Sequence, residues 1–413
     1  MRPIDFEKET FSEKEKRNIE ILEILRRRGP ISRPEISKET GINVVTISSY
    51  IDNLIRQNVV HEKELDVSEG GRRPGLLDLN PQGAYVVGVG LNLLNMVGVL
   101  IDLKGNIIFK TQTERKGASV EEVVECLLEI MRQIVKRSKG YNIQGVGVGM
   151  AGVINKAEGS VCWPERISPN LTNYASVNIQ FKDLIEKEFD LPAIIENDAT
   201  AACFGEHWLR LEPDFKNVLF MFSGVGVGLV INGQVYTGSQ GCAGEPSINN
   251  YNEDKLFNCA MGNPCFLKRW DTDLGIVEDV KSRLARDKAA AERFTELTAH
   301  NVENIDLRSV LTAARAKHEA SAVALSVAAK RLGVKIAYLV NLFNPQIVII
   351  GGGLEEAGEE FLNKVASTIK EWAFREAVDE LKITYSQLRE NAVALGAGSL
   401  VMQKLFAQLW QEK

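Results

Sequence analysis

Along the N-terminal part of the chain apolar residues recur at helical spacing; beyond it they gather into short runs rich in Val, Ile and Gly. From Asn18 to Arg28, Ile19, Leu22 and Leu25 share one face, which predicts a helix, and Gly29-Pro30 ends it as Gly followed by Pro stops a helix. Ser32 then caps a second helix that runs to about Thr40, with Pro34 in its first turn and Glu35 at capping-box spacing. Gly41 supplies a tight turn, and a third helix follows from about Asn43 to Gln57. On it Val44, Ile47, Ile51 and Leu54 share one face, while Thr46, Ser49, Tyr50 and Asn53 occupy the other. Val59 to Leu65 and Gly75 to Leu79 read as two strands, joined by the loop VSEGGRRP with Arg72 and Arg73. The whole is a winged helix-turn-helix layout.

From Ala84 onward strands alternate with helices: YVVGVGL, NMVGVLIDLKGNIIF, the helix Val120 to Arg137, VGVGMAGVI, LPAIIEN, NVLFMFSGVGVGLVINGQVY and QIVIIGGG. This predicts an α/β body with mixed sheets and glycines where strands turn into loops. Ala84 to Ile101 is uncharged, but Asn92, Asn95 and three glycines interrupt it, so a buried hairpin is expected rather than a membrane span.

A chain of 413 residues has room for two or three domains and a sizeable core without disulfides. The cysteines (Cys126, Cys162, Cys203, Cys242, Cys259, Cys265) are scattered and no secretory leader precedes them, which fits reduced thiols in a cytoplasmic protein. The net charge of -6 gives nucleic acid no global attraction, and the first 80 residues hold 14 Lys plus Arg against 15 Asp plus Glu. DNA binding must therefore come from local clustering and shape.

Hydroxyl and amide groups on the third helix have the reach and chemistry for base edges in the major groove, and adjacent arginines on a glycine-rich loop suit a narrow minor groove. Thr46, Ser49, Tyr50, Asn53, Arg72 and Arg73 are the expected DNA-contacting residues. Helix spacing alone would equally suit a small helical protein-interaction module; the wing favours double-stranded DNA.

The segments EGGRRPG, MAGVI, LPAIIENDATAACFGE, SGVGVGLVINGQVYTGSQGCAGE, NLFNPQIVIIGGG and NAVALGAGSLV follow one another over nearly the whole chain. In that order they resemble the ROK family, sugar kinases and sugar-responsive repressors on an actin-like, two-lobed sugar-kinase fold, and the N-terminal winged helix resembles its repressor branch. The expected organisation is a DNA-binding domain over 1–80 and an effector-binding, oligomerising ROK domain over 81–413.

The resemblance implies that a kinase needs a D-x-G-G-T loop near the start of the body, where backbone amides form a nest for phosphate. Here Gly90, Asn92, Leu93 and Leu94 stand in place of the acid, the glycines and the threonine. The glycines of Gly224 to Gly228 and Gly351 to Gly353 are ambiguous, since glycine also serves tight hairpins and close packing. The family's zinc site implies a histidine where Ile248 stands and cysteines of which Cys259 is kept, Met261 and Phe266 are not, and Cys265 is out of register. We expect no metal, no cofactor and no enzymatic activity.

For the sugar pocket, the resemblance implies that Asn197, Asp198 and Glu245 face ligand hydroxyls, with Ile248 and Lys268 replacing a histidine and an acid. A lysine there would suit a carboxylate or phosphate on the ligand; it is equally an ordinary solvated residue, or the pocket is vestigial. In IENDATA, Asp198 is open to three roles: catalytic base, ligand clasp or helix cap. The expected function is a transcriptional repressor answering a carbohydrate-like effector as a homodimer or higher oligomer, with no membrane partner. The alternatives are a sugar kinase with a DNA-binding appendage, or a regulator controlled by a protein partner.

Overall fold

The computed structural model describes residues 11–63, 75–92, 95–114, 120–164, 176–224, 226–245, 275–299 and 304–409. Contacts divide the chain into two compact units, one of Met1–Trp163, Ser176–Asn197 and Val393–Lys413, the other of Pro164–Ala175 and Asp198–Ala392.

The first unit begins with α1 (Glu13–Arg28), α2 (Arg33–Thr40) and α3 (Val44–Arg56), accompanied by β1 (Ile31–Ser32), β2 (Val60–Lys63) and β3 (Leu76–Leu79). Helix α1 starts earlier than its apolar spacing predicts. Ser12 caps it in a capping box with Glu15, and Glu13 and Glu15 in the first turn and Arg26, Arg27 and Arg28 in the last complement the helix dipole. Polar residues thus hold a turn that buries nothing apolar. In α2 the Glu35 carboxylate accepts from the Ser32 amide at 2.9 Å, and Gly41 closes the helix at φ +68°. The strands form an antiparallel sheet in the order β1-β3-β2, the expected frame of a wing.

The main sheet of this unit contains β4 (Tyr85–Leu91), β5 (Asn95–Asp102), β6 (Ile107–Glu114), β7 (Ile143–Met150) and β11 (Ala193–Asn197), in the order β11-β7-β4-β5-β6. Strand β4 pairs antiparallel with β5 and parallel with β7, so the uncharged stretch is the predicted hairpin. One face packs Val89, Leu100 and Val148 against Leu127, Met131 and Ile134 of α4 (Val120–Arg137). Side chains alternate along a strand, so Gly88 and Gly90 face the other way. There the C-terminal helix, Ala392–Gln408, lies so close that a Cβ at Gly88 would run into the Ala394 carbonyl and one at Gly147 into that of Ala397. A small sheet of β8 (Val153–Asn155), β9 (Ser160–Pro164) and β10 (Ser176–Ile179), and helix α5 (Phe181–Phe189), complete the unit.

The second unit repeats the topology. Strands β12 (Val218–Phe222), β13 (Gly226–Ile231), β14 (Gln234–Val235), β15 (Ile347–Gly351) and β16 (Lys382–Tyr385) lie in the order β14-β13-β12-β15-β16. Here too the first strand pairs antiparallel with the second and parallel with the fourth. Helix α6 (Asp198–Leu209) covers β12 and β13, and Gly228 lets it in, since a Cβ there would overlap the Ala199 carbonyl. Helices α7 (Ile276–Leu284), α8 (Lys288–Thr298), α9 (Leu307–Arg315), α10 (Glu319–Phe343), α11 (Gly358–Trp372) and α12 (Arg375–Val378) follow; the C-terminal helix is α13. Among the described residues no helix is long and apolar enough to cross a membrane.

Candidate nucleic-acid interface and ligand site

Helix α3 turns its apolar face inward, with Ile47, Ile51 and Leu54 buried, and leaves Thr46 and Ser49 exposed and Asn53 half-buried. Tyr50 departs from the expectation. At about 100° per residue it falls next to Leu54, and the residue is only 7% exposed, so its ring belongs to the core and not to the outward face. Val44 departs the other way: it is 42% exposed, and its neighbour Val45 76%. Asn43 caps the helix by accepting from the Val45 amide at 2.8 Å. Arg33 braces the face from α2, reaching Asp52 at 3.1 Å and Glu62 at 3.0 Å. Arg72 and Arg73 lie outside the described residues.

Three polar ties hold this helical region within its unit. Asn18 donates to the Ala407 carbonyl at 2.9 Å and Gln57 to that of Leu409 at 2.6 Å, both at the end of α13. Asp78 on β3 meets Lys63 and Lys104, each at 2.8 Å. Burial pushes the Asp78 carboxyl up, but the two hydrogen-bonded ammonium groups outweigh it and hold the pKa below its usual value.

Of the four expected ligand residues, Asn197 ends β11 in the first unit, and Asp198 and Glu245 belong to the second. Lys268 lies outside the described residues. The Asn197 amide donates to the Gly152 carbonyl at 3.2 Å, beside a Glu196–Lys156 pair at 2.7 Å. Asp198, 8% exposed, opens α6 and accepts from the Ala199 amide at 2.7 Å, so it does cap the helix start. It also borders β13: a Cβ built on Gly226 would stand 4.0 Å from Asp198 Oδ1. The next residue, Val227, donates to the Gly244 carbonyl at 2.9 Å, which brings Glu245 to the same end of the strand.

The spacing of charges did not reveal the nearby cation. Lys335 of α10 is 1% exposed and donates to the Gly224 carbonyl at 2.9 Å. Burial drives its pKa down to about 7, and the Glu245 carboxylate opposes the fall. Desolvation raises the Glu245 carboxyl, and Lys335 opposes that rise, although the residue as a whole keeps an exposed surface. The stretch RLGVKIAYLV did hold the signal: Lys335 stands on the buried stripe of Leu332, Ile336 and Leu339.

Two carboxyls lie around the loop after β15. Burial raises Glu206, which accepts from Ser386 Oγ at 2.6 Å and the Leu388 amide at 2.7 Å. Glu355 accepts from the Gly353 amide at 2.8 Å and is pushed up to about 7 by desolvation. Of the glycines left ambiguous by sequence, Gly228 serves helix packing, and Gly352 at φ +75° lies against Ser223. Where the resemblance implies a phosphate loop, the Asn92 amide donates to the Asn95 carbonyl at 2.8 Å and its side chain to Asn95 Oδ1 at 2.9 Å. Among the described residues no cluster of three or more potential metal ligands occurs; Ile248, Cys259 and Cys265 lie outside them.

Comparison with known proteins agrees with this arrangement. The profile described as ROK family matches residues 86–404, and one described as winged helix-turn-helix DNA-binding matches residues 14–61. The chain is 30% identical over 385 residues to the xylose repressor of Caldicellulosiruptor bescii, covering 91% of this chain and 93% of that protein. A crystal structure described as a ROK family transcriptional regulator, homolog of the E. coli MLC protein, superposes with a TM-score of 0.73 at 22% identity, over 96% of this chain and 97% of that one. The ROK family glucokinase from Streptomyces griseus, in complex with glucose and AMPPNP, superposes with a TM-score of 0.63 at 23% identity, over 77% of this chain and 99% of that one.

Proposed function

The chain belongs to the ROK family, and on that footing we propose that it is a sugar-responsive transcriptional repressor in which residues 1–80 read DNA and residues 81–413 sense a carbohydrate. The observation that carries this reading is α3. A completed apolar core lies beneath it, while Thr46 and Ser49 stand exposed on its outer face, the kind of side chain that reads base edges. Asn197, Asp198 and Glu245 supply the ligand contacts, with Lys268 as a further contact if the ligand is anionic. A homodimer would present two winged helices to two half-sites, and the effector acts to the extent that it binds one spacing of them more tightly than the other.

The reading is tested by selecting bound sequences from a random DNA pool, then titrating the selected duplex with and without xylose, other neutral sugars, sugar acids and sugar phosphates. We expect nanomolar-range binding weakened by one of these ligands. The double variant Arg72→Ala, Arg73→Ala should bind at least tenfold more weakly, with a flatter salt dependence. Binding of no DNA would overturn the reading. The glucokinase likeness favours a second reading, phosphate transfer from ATP to a sugar, which an assay against a sugar panel decides directly. The Asn92–Asn95 closure speaks against it, because those groups bond each other at the place where a phosphate nest would be needed.

A further inference from the structure

We propose that Val45 is a specificity-determining residue that reads the 5-methyl group of a thymine in the major groove. This rests on the DNA-reading role proposed for α3. Val45 is 76% exposed, the most exposed of the chain's large apolar side chains in the described residues. Folding of the winged helix does not require it there, since Ile47, Ile51, Leu54 and Tyr50 already fill the inner face. Nor does capping, because Asn43 uses the Val45 backbone amide and not its side chain.

Its direction is set by the helix. Val45 and Ser49 are one turn apart, about 40° around the axis, so the valine lies on the same outward face as the hydroxyl. It also lies at the N-terminal end of α3, and the first residues of a recognition helix are those that reach base edges. A branched hydrocarbon there has no hydrogen bond to offer. The apolar feature of the major groove is the thymine methyl, which distinguishes T·A from the other pairs by contact alone. Val44, 42% exposed, flanks this position toward the buried Ile51 and packs against the edge of the core.

Opposing a protein partner for this valine is its company. Thr46, Ser49 and Asp52 surround it with small or polar exposed groups, and a lone exposed valine among them is not a contiguous apolar patch. A single methyl-sized contact is what the site has room to make.

The test uses the full chain and a duplex selected from a random pool. Each thymine of the duplex is replaced in turn by deoxyuridine, which deletes only the methyl. The parent should lose about fourfold in affinity at one or more positions, the factor expected for removing one buried methyl from contact. Val45→Ala should lose a similar factor on the unmodified duplex and be indifferent to deoxyuridine at those same positions; Val44→Ala should keep the parent's sensitivity. The inference is overturned if the parent tolerates deoxyuridine at every thymine, or if Val45→Ala remains as sensitive as the parent. If the selection yields no bound duplex, the DNA-reading role falls as well, which separates that failure from one confined to Val45.

Discussion

The two five-stranded sheets share one strand order, yet the hairpins that open them are built from different chemistry. In the first, the turn between β4 and β5 closes on itself, Asn92 bonding Asn95 through both backbone and side chain. In the second, the turn between β12 and β13 keeps its glycines, and the Gly224 carbonyl receives the ammonium of Lys335 from a helix more than a hundred residues later in the chain. A repeated topology therefore fixes where turns fall without fixing what they bind. The first turn consumes its own polar groups; the second presents an oxygen to a cation, the opposite polarity from an anion nest. Both departures fit a body that senses a ligand and performs no phosphate transfer.

What the sheets do share is glycine at the helix contact, and the largest expected effects test it. Gly88→Val would drive a branched side chain into the α13 backbone at Ala394, and Gly228→Val into α6 at Ala199. Backbone cannot give way as a side-chain tip can, so each should destabilise its unit by about 3 kcal/mol or more in urea unfolding. A variant of either kind with parental stability would mean that the helix does not sit on that sheet as described.

Next in size is Asp198→Asn. The charge-assisted bond to a ligand hydroxyl is worth roughly 1.5 to 3 kcal/mol, whereas the asparagine oxygen can still accept from the Ala199 amide. Effector affinity should fall tenfold or more with folding and DNA binding near parental, so the variant represses and resists induction. An unchanged response to effector would make Asp198 a cap and nothing else, and remove the functional contrast between the second unit and the first.

These contrasts were unevenly legible in the sequence. The helix-turn-helix, the β4–β5 hairpin and α4 were readable because a period of 3.6 or 2 survives along each. The start of α1 was not, because Glu13 to Arg17 carry no apolar stripe and are held by capping and charge. Tyr50 was assigned by the polarity of its hydroxyl, although its ring lies on the border of the apolar face. The small β8-β9-β10 sheet escaped notice because its strands are short and irregular. Lys335 escaped because a lysine is ordinarily exposed; only its place in the apolar stripe marks it as buried. The likely ligand residues were identified through family resemblance, and nothing in their spacing would have grouped Asp198 with Glu245.

Lys335→Met sharpens the contrast through pH. The folded pKa of about 7 lies below the ordinary 10.5, so between these values the unfolded chain binds more protons than the folded one. The contribution of this group to stability therefore rises as pH rises through that window, by at most about 1.4 kcal/mol per pH unit, and is least favourable below pH 7. Chemical denaturation of parent and variant at a series of pH values should show the difference between them changing in that sense, with the variant lacking the slope. A constant difference from pH 7 to 10 would show that the ammonium is not desolvated as its burial implies.

The smallest effect belongs to the first hairpin. Asn95→Ala removes the acceptor for the Asn92 side chain but leaves the backbone bond at 2.8 Å, so the turn keeps its frame. Asn95 is buried, but Asn92 is only half-buried and its freed amide can turn to water, which keeps the cost near 1 kcal/mol instead of the full penalty of a stranded donor. Opening the side-chain closure should not create a nucleotide site either. Leu93 and Leu94 still occupy the positions where glycines would let phosphate approach the backbone, and no acid replaces Gly90. Urea unfolding should register the small loss, while calorimetric titration with ATP and magnesium should give no heat of binding for parent or variant. A loss well above 2 kcal/mol would make this side-chain pair a principal support of the sheet, and nucleotide binding by the variant alone would mean that the asparagine closure, and not the missing acid and glycines, is what separates this hairpin from a phosphate loop.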